Sequence, residues 1–341
     1  MKFPFIKSIL LISASLTLIS ANLAGISISD YGDVYYINYS PINRSKDIHK
    51  YSFSTKRSKV YISLTDGKEC VPVETLLDPT RTKIAYSQMC RNASQSSAKG
   101  IDIYYYVLTI AHLKTKNMAI TINNVGHAFS FSPKGDAIAF VEESPGERGY
   151  PVPDDYVGGA WICDLKDGSR RLMVKSAHDL NWSAHDGNIY ISDGSSVYRY
   201  NPAKMILNNT VYYGIYFSTD GKYYSTEITE DAPSKIYRSQ DNAEMVEWNT
   251  MILARSPRQY RSMAFRFWSN KLKAAVFSVA PSDTENVIFS VSKGRILGQF
   301  SGKVIGINAQ GDIVAVHPPL ASHAAWATDR IQVIDLKRYQ K

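Results

Sequence analysis

The chain lacks the short strings on which most catalytic folds depend. It has no Gly-x-Ser-x-Gly elbow, no Walker loop, no Gly-x-Gly-x-x-Gly and no His-Glu-x-x-His. These absences argue against an α/β-hydrolase, a P-loop enzyme, a dinucleotide-binding fold and a zincin. Long apolar runs are missing beyond Ser8 to Ile19, which is short of the roughly 20 residues a membrane helix needs. Lysine and arginine form no block longer than Arg170-Arg171 or Lys337-Arg338, so a nucleic-acid partner is not expected. There are only 3 cysteines, Cys70, Cys90 and Cys163, with no Cys-x-x-Cys and no Cys/His spacing of a zinc site.

What is present leans toward β structure and export. The 341 residues include 23 Tyr, a residue that favours half-buried pleated surfaces. Lys2 and Lys7 precede the apolar run, and small residues follow at Ser20, Ala21, Ala24 and Gly25. That order is expected of a cleavable signal peptide over residues 1–24, leaving residues 25–341 as the mature domain. No transmembrane span is expected in that mature chain, and the compartment is expected to be periplasmic or extracellular. The net charge of +8 falls to +6 once Lys2 and Lys7 are removed. Scattered positive charge of this size suggests contact with acidic surfaces such as anionic lipid headgroups or polysaccharide, and the expected partner is a protein or an anionic envelope polymer.

Self-similarity organises the chain. Phe131-Ser132-Pro133-Lys134-Gly135-Asp136-Ala137-Ile138-Ala139-Phe140 reads as a strand end, a tight polar turn and a second strand. The same unit recurs with its serine-like position at residues 29, 78, 183, 218, 269 and 308, spaced 35 to 54 residues apart. A period near 46 residues with this strand content fits propeller blades of four strands. A second element, Trp161-Ile162-Cys163-Asp164-Leu165-Lys166-Asp167-Gly168-Ser169, resembles Val60 to Lys68 and turns at Asp-Gly. Ile331 to Leu336 repeats its strand near the C-terminus. The expected fold is therefore all-β, a single propeller of about seven four-stranded blades, with six as the alternative. A strand around Asn22 to Ser27 is expected to complete the last blade and close the ring by joining both chain ends.

These repeats resemble those of the TolB-like propeller family, whose blades carry a Trp/Phe-Ser-Pro-Asp-Gly-x-x-Ile-Ala-Phe segment. The likeness covers most of residues 26–336, is good over 129–200 and poor over 240–300. It implies a propeller fold and a binding role, without assigning an activity.

Between the repeats lie an insertion at Glu142 to Gly159, read as a loop between second and third strands, and a short helix expected around Glu244 to Leu253. Residues Ala93 to Gly100 read as a further loop. Cys70 is read as opening a fourth strand and Cys90 as ending a second. That would place them about one strand length of ~17 Å apart and argues against a bridge. Cys163 is expected inside a strand, buried and inert.

Register supplies the candidate site. Counting four residues back from Phe131, Trp182, Phe217 and Ile307 reaches His127, His178, Tyr213 and Lys303, with Asp179 beside His178 and Arg261 near the equivalent place in the sixth unit. A ring of such groups at one channel mouth would suit an anion or a single metal ion, although no metal-ligand motif calls for one and no cofactor is expected. Two functions follow: a monomeric, non-catalytic binding module for protein or ligand, and alternatively a secreted polysaccharide lyase or glycosidase with a His-containing site at the channel mouth.

Overall fold

The computed structural model describes residues 33–39, 46–64, 70–91, 103–125, 128–142, 146–147, 158–183, 186–193, 196–200, 204–208, 212–218, 222–228, 234–253, 263–269, 271–279, 285–308, 312–318 and 331–339. These form seven antiparallel sheets in chain order. The first holds β1 (Asp33–Tyr39), β2 (Lys46–Ser52) and β3 (Arg57–Ile62). The second holds β4 (Cys70–Leu77), β5 (Lys83–Arg91), β6 (Ile103–His112) and β7 (Met118–Asn123). The third contains β8 (Phe129–Phe131) and β9 (Ala137–Val141) and, after the two-residue β10 (Gly146–Glu147), β11 (Ala160–Asp164) and β12 (Arg170–Val174). The fourth runs through β13 (Asp179–Trp182), β14 (Ile189–Ser192), β15 (Ser196–Tyr200) and β16 (Lys204–Asn208). The fifth has β17 (Tyr212–Phe217), β18 (Tyr223–Ile228) and β19 (Lys235–Arg238), followed by helix α1 (Val246–Leu253). The sixth comprises β20 (Met263–Ser269), β21 (Ala274–Val279), β22 (Glu285–Ser290) and β23 (Arg295–Ser301). The seventh comprises β24 (Lys303–Ile307), β25 (Ile313–His317) and β26 (Gln332–Asp335), before a 3-10 turn at Leu336–Tyr339.

The repeated turn is held by its own side chains. Ser132 Oγ accepts the N–H groups of Asp136 and Ala137 at 3.1 Å each and donates to Asp136 Oδ1 at 2.6 Å. Asp78 Oδ1 does the same for Thr82 and Lys83 at 2.8 and 2.6 Å. Asn308 Oδ1 accepts from Asp312 and Ile313 at 3.0 Å each. Ser218 Oγ takes the Tyr223 N–H at 3.0 Å and Ser269 Oγ the Leu272 N–H at 3.3 Å. A second bond recurs beside it: the residue after the third strand donates to the carbonyl just before or at the opening of the second. Leu113 to Thr82, Leu165 to Asp136, Ser239 to Lys222, Val291 to Lys273 and Leu336 to Asp312 all measure 2.7–2.9 Å. These bonds are why the motif is short and recurrent: each turn satisfies its own backbone. The copy at Ser29 lies outside the described residues.

Alternating residues feed different cores. On β1, Tyr35 packs toward the second sheet and Val34 and Tyr36 toward the seventh. On β21, Ala274 and Val276 face the seventh sheet and Ala275 and Phe277 the fifth. On β14, Tyr190 faces the fifth sheet and Ile189 and Ile191 the third. Each of the buried clusters straddles two sheets: first and second, second and third, third and fourth, fourth and fifth, fifth and sixth, sixth and seventh. A further cluster joins the seventh to the first through Ile305, Ala315, Val34, Tyr36 and Tyr51. Gly306 permits that seam, because a Cβ there would overlap the Val34 side chain.

Several expectations meet the structure. Cys70 and Cys90 form a disulfide, against the sequence reading. Residues 70–77 are the first strand of the second sheet, not the fourth strand of the first, so Cys70 and Cys90 are cross-strand partners with Cα atoms 4.0 Å apart. Cys163 is buried and free on β11, and burial pushes its thiol pKa up. Helix α1 falls where a short helix was expected. With Glu244 and Met245 it occupies the edge of β19 in place of a fourth strand: Met245 N–H donates to Ile236 O, and Asn249 Oδ1 accepts the Ile236 N–H, both at 2.9 Å. The Glu142 to Gly159 insertion joins β9 to β11, which pair directly, while its β10 pairs with β6 of the preceding sheet. The expected closing strand at 22–27, the Asp66-Gly67 turn and the loop at 93–100 lie outside the described residues.

Candidate functional site

The residues picked by register are placed unevenly. His127 and Arg261 lie outside the described residues, and Tyr213 belongs to β17. His178 is exposed, and its N–H donates to Ser192 O at 2.7 Å. Asp179 opens β13 opposite Ser192, and Lys303 opens β24 opposite His317. The described residues contain no group of three His, Cys, Asp or Glu side chains able to hold a metal ion.

A site that register did not point to lies at the seam of the fourth and fifth sheets. It is a cleft of about 600 Å³, near the end where the repeated turns lie. An aromatic series crosses the seam beneath it. Tyr190 and Phe217 have ring centroids 4.5 Å apart, Phe217 and Tyr224 5.6 Å, and Tyr224 stacks on Tyr237 at 5.2 Å.

One wall is built by β14 and β15. Tyr190 stands directly opposite Arg199 in the ladder. The Tyr190 hydroxyl donates to Asp186 Oδ2 at 2.9 Å and is also hydrogen-bonded by the Arg199 side chain. Burial, followed by the Asp186 carboxylate, pushes the Tyr190 phenol far above its usual value, so it stays protonated. Burial alone would raise the Asp186 pKa; hydrogen bonds from Asn188 and Tyr190 outweigh it and hold the carboxyl below its ordinary value. Asp186 is therefore an occupied acceptor, committed to the Asn188 N–H at 3.0 Å and to Tyr190.

The other wall comes from the fifth sheet. Tyr223 opens β18 opposite Arg238, and Lys222 and Ser239 are joined through their backbones. Arg238 forms a two-point pair with Asp241 at 2.9 and 2.6 Å, which fixes its guanidinium at the cleft. Two buried atoms of residues lining this site have no hydrogen-bond partner among the described residues: Arg199 Nε and Ser239 Oγ. The cleft therefore offers hydrogen-bond donors and positive charge between aromatic surfaces, and the single lining carboxylate among the described residues, Asp186, is already used. Sequence reading missed it because Arg199, Lys222 and Arg238 come from different turns and strands, and no motif links them.

Consecutive antiparallel sheets that pack face to face through shared cores define a β-propeller. Solved structures agree. A chain of the mitotic checkpoint complex is similar with a TM-score of 0.58 at 9% identity, over 93% of this chain and 91% of that one. TolB from Acinetobacter baumannii is similar with a TM-score of 0.50 at 17% identity, over 80% of this chain and 64% of that one. A prolyl endopeptidase is similar with a TM-score of 0.53 at 12% identity, over 89% of this chain but 47% of that one. No protein-family model and no curated protein sequence matches the chain.

Proposed function

We propose that this chain is an exported, TolB-like propeller of seven blades, closed by packing of its last sheet on its first, that works as a monomeric binding module in the periplasm or outside the cell. Residues 1–24 would be removed as a signal peptide, and residues 25–341 would form the ring. The reading rests on the buried seam between the seventh and first sheets, together with the six other inter-sheet cores. The likeness to TolB and to a chain of a checkpoint assembly points the same way.

The partner is best read as a protein with an acidic face. Within each sheet, the turns after the first and third strands share one end. Exposed Lys116, Lys134, Lys166, Lys271 and Lys293 all sit in those turns. Neighbouring turns are tied together there: Lys83 Nζ donates to Gly135 O at 3.0 Å, and Lys271 pairs with Asp312 at 3.4 Å. A rigid basic end of this kind steers acidic partners and is weakened by salt.

The test is capture from an envelope extract on immobilised protein, with the triple variant Lys116→Glu, Lys134→Glu, Lys166→Glu beside it. The expected result is a defined protein set retained by the parent, released by salt, and reduced at least tenfold by the variant. Equal retention by both proteins would contradict the reading. Retention of an acidic polysaccharide instead of a protein would move the partner to the envelope polymer.

A further inference from the structure

We propose that the cleft between the fourth and fifth sheets binds a small ligand carrying an oxyanion, carboxylate or phosphate, on a flat apolar body. This goes beyond the binding reading above by assigning a ligand class to a site that reading does not use.

The first argument is hydrogen-bond satisfaction. A buried donor left without an acceptor loses the hydration it had in water and gains nothing in return. Other buried, unpartnered hydroxyls, such as those of Ser87, Ser225 and Thr226, sit within strands where close packing surrounds them. Arg199 and Ser239, whose Nε and Oγ are likewise buried and unpartnered among the described residues, instead belong to the lining of the cleft. A guanidinium has no acceptor lone pair, so what completes Arg199 must accept hydrogen bonds.

The second argument is charge. Arg199, Lys222 and Arg238 meet at the cleft, and Asp186 is the one carboxylate lining it among the described residues. Asp186 is engaged by Asn188 and Tyr190, and Arg238 keeps donors beyond those given to Asp241. An arriving oxyanion would find donors fixed in advance, so little ordering is needed on binding.

The third argument is shape. Phe217, Tyr190 and Tyr223 give the cleft aromatic walls, and its volume of about 600 Å³ holds a ligand the size of a substituted ring or a short chain. Nothing in the lining offers the clustered carboxylates a cation would need.

The experiment is calorimetric titration of the full chain with three probes of one shape: benzoate, phenyl phosphate and neutral benzyl alcohol. At least one anion is expected to bind with a stoichiometry of one while benzyl alcohol does not, and the stronger anion identifies the oxyanion. Arg199→Gln should weaken that binding at least tenfold, and exposed Lys222→Gln several-fold. Lys59→Gln, an exposed position on β3 outside the cleft, should leave it unchanged. If Arg199→Gln fails to fold, Lys222→Gln against Lys59→Gln carries the comparison. Absence of binding by both anions, equal binding of benzyl alcohol, or equal weakening by Lys222→Gln and Lys59→Gln would overturn the proposal. The protein-partner reading is tested through other lysines and with a different readout, so the two fail separately.

Discussion

Asp312 shows how single residues hold this fold. Its side chain is fully buried, with Lys337 at 3.0 Å and Lys271 at 3.4 Å, and Asn308 Nδ2 donates to it at 2.8 Å. Burial alone would raise its pKa, but the Asn308 bond and the two ammonium groups outweigh burial and hold it below the ordinary carboxylate range. A folded-state pKa below the unfolded value of about 3.9 stabilises the fold above that value. The contribution is lost as pH falls through the folded-state value. Asp312→Asn should therefore lower stability at neutral pH by about 1–2 kcal/mol. It should also flatten the acid limb of stability below about pH 4, measured by urea denaturation across pH. Parallel acid limbs in the parent and the variant would rule out this role. At this scale the sequence was partly readable. Cys163 was placed in a strand by alternation, and it is buried there. The Cys70–Cys90 bridge was missed because it depends on where one sheet ends and the next begins. Nothing in the local pattern around Cys70 marks it as opening a new sheet.

At the scale of elements, the repeated turn was the most legible feature, because its bonds run between residues four or five positions apart. Ser132, Asp78 and Asn308 make the same pair of contacts with different chemistry, so a serine-like position was a sound marker. Ser132→Ala removes both acceptor contacts and should cost about 1–2 kcal/mol in a thermal or urea melt. Gly135→Ala should cost at least as much. Gly135 sits at φ +67°, and an added Cβ would lie 2.5 Å from Asp78 Oδ2 of the neighbouring turn. Neutral outcomes for both would mean that the turns follow the strands rather than define them. Exceptions to the repeat were less legible. Helix α1 was foreseen from the loss of alternation, but its use as a cover for the β19 edge was not, because that depends on Asn249 reaching Ile236. The pairing of β10 with β6 likewise joins segments about 40 residues apart. The cleft is the extreme case: its walls meet only when two sheets pack.

At the scale of the whole molecule, the account depends on the sheets being arranged around an axis rather than along a line. The alternation of core contacts along β1, β14 and β21 leaves each of these strands with a neighbour on both faces. The seam at Gly306 and Val34 gives the first sheet its second neighbour. Small-angle X-ray scattering of the purified chain tests this most directly. A closed ring of this length should have a radius of gyration of about 20 Å. Seven sheets stacked in a line at about 10 Å spacing would extend roughly 70 Å and raise it to about 23 Å. A measured value near the first supports the ring, and a value near the second would contradict it.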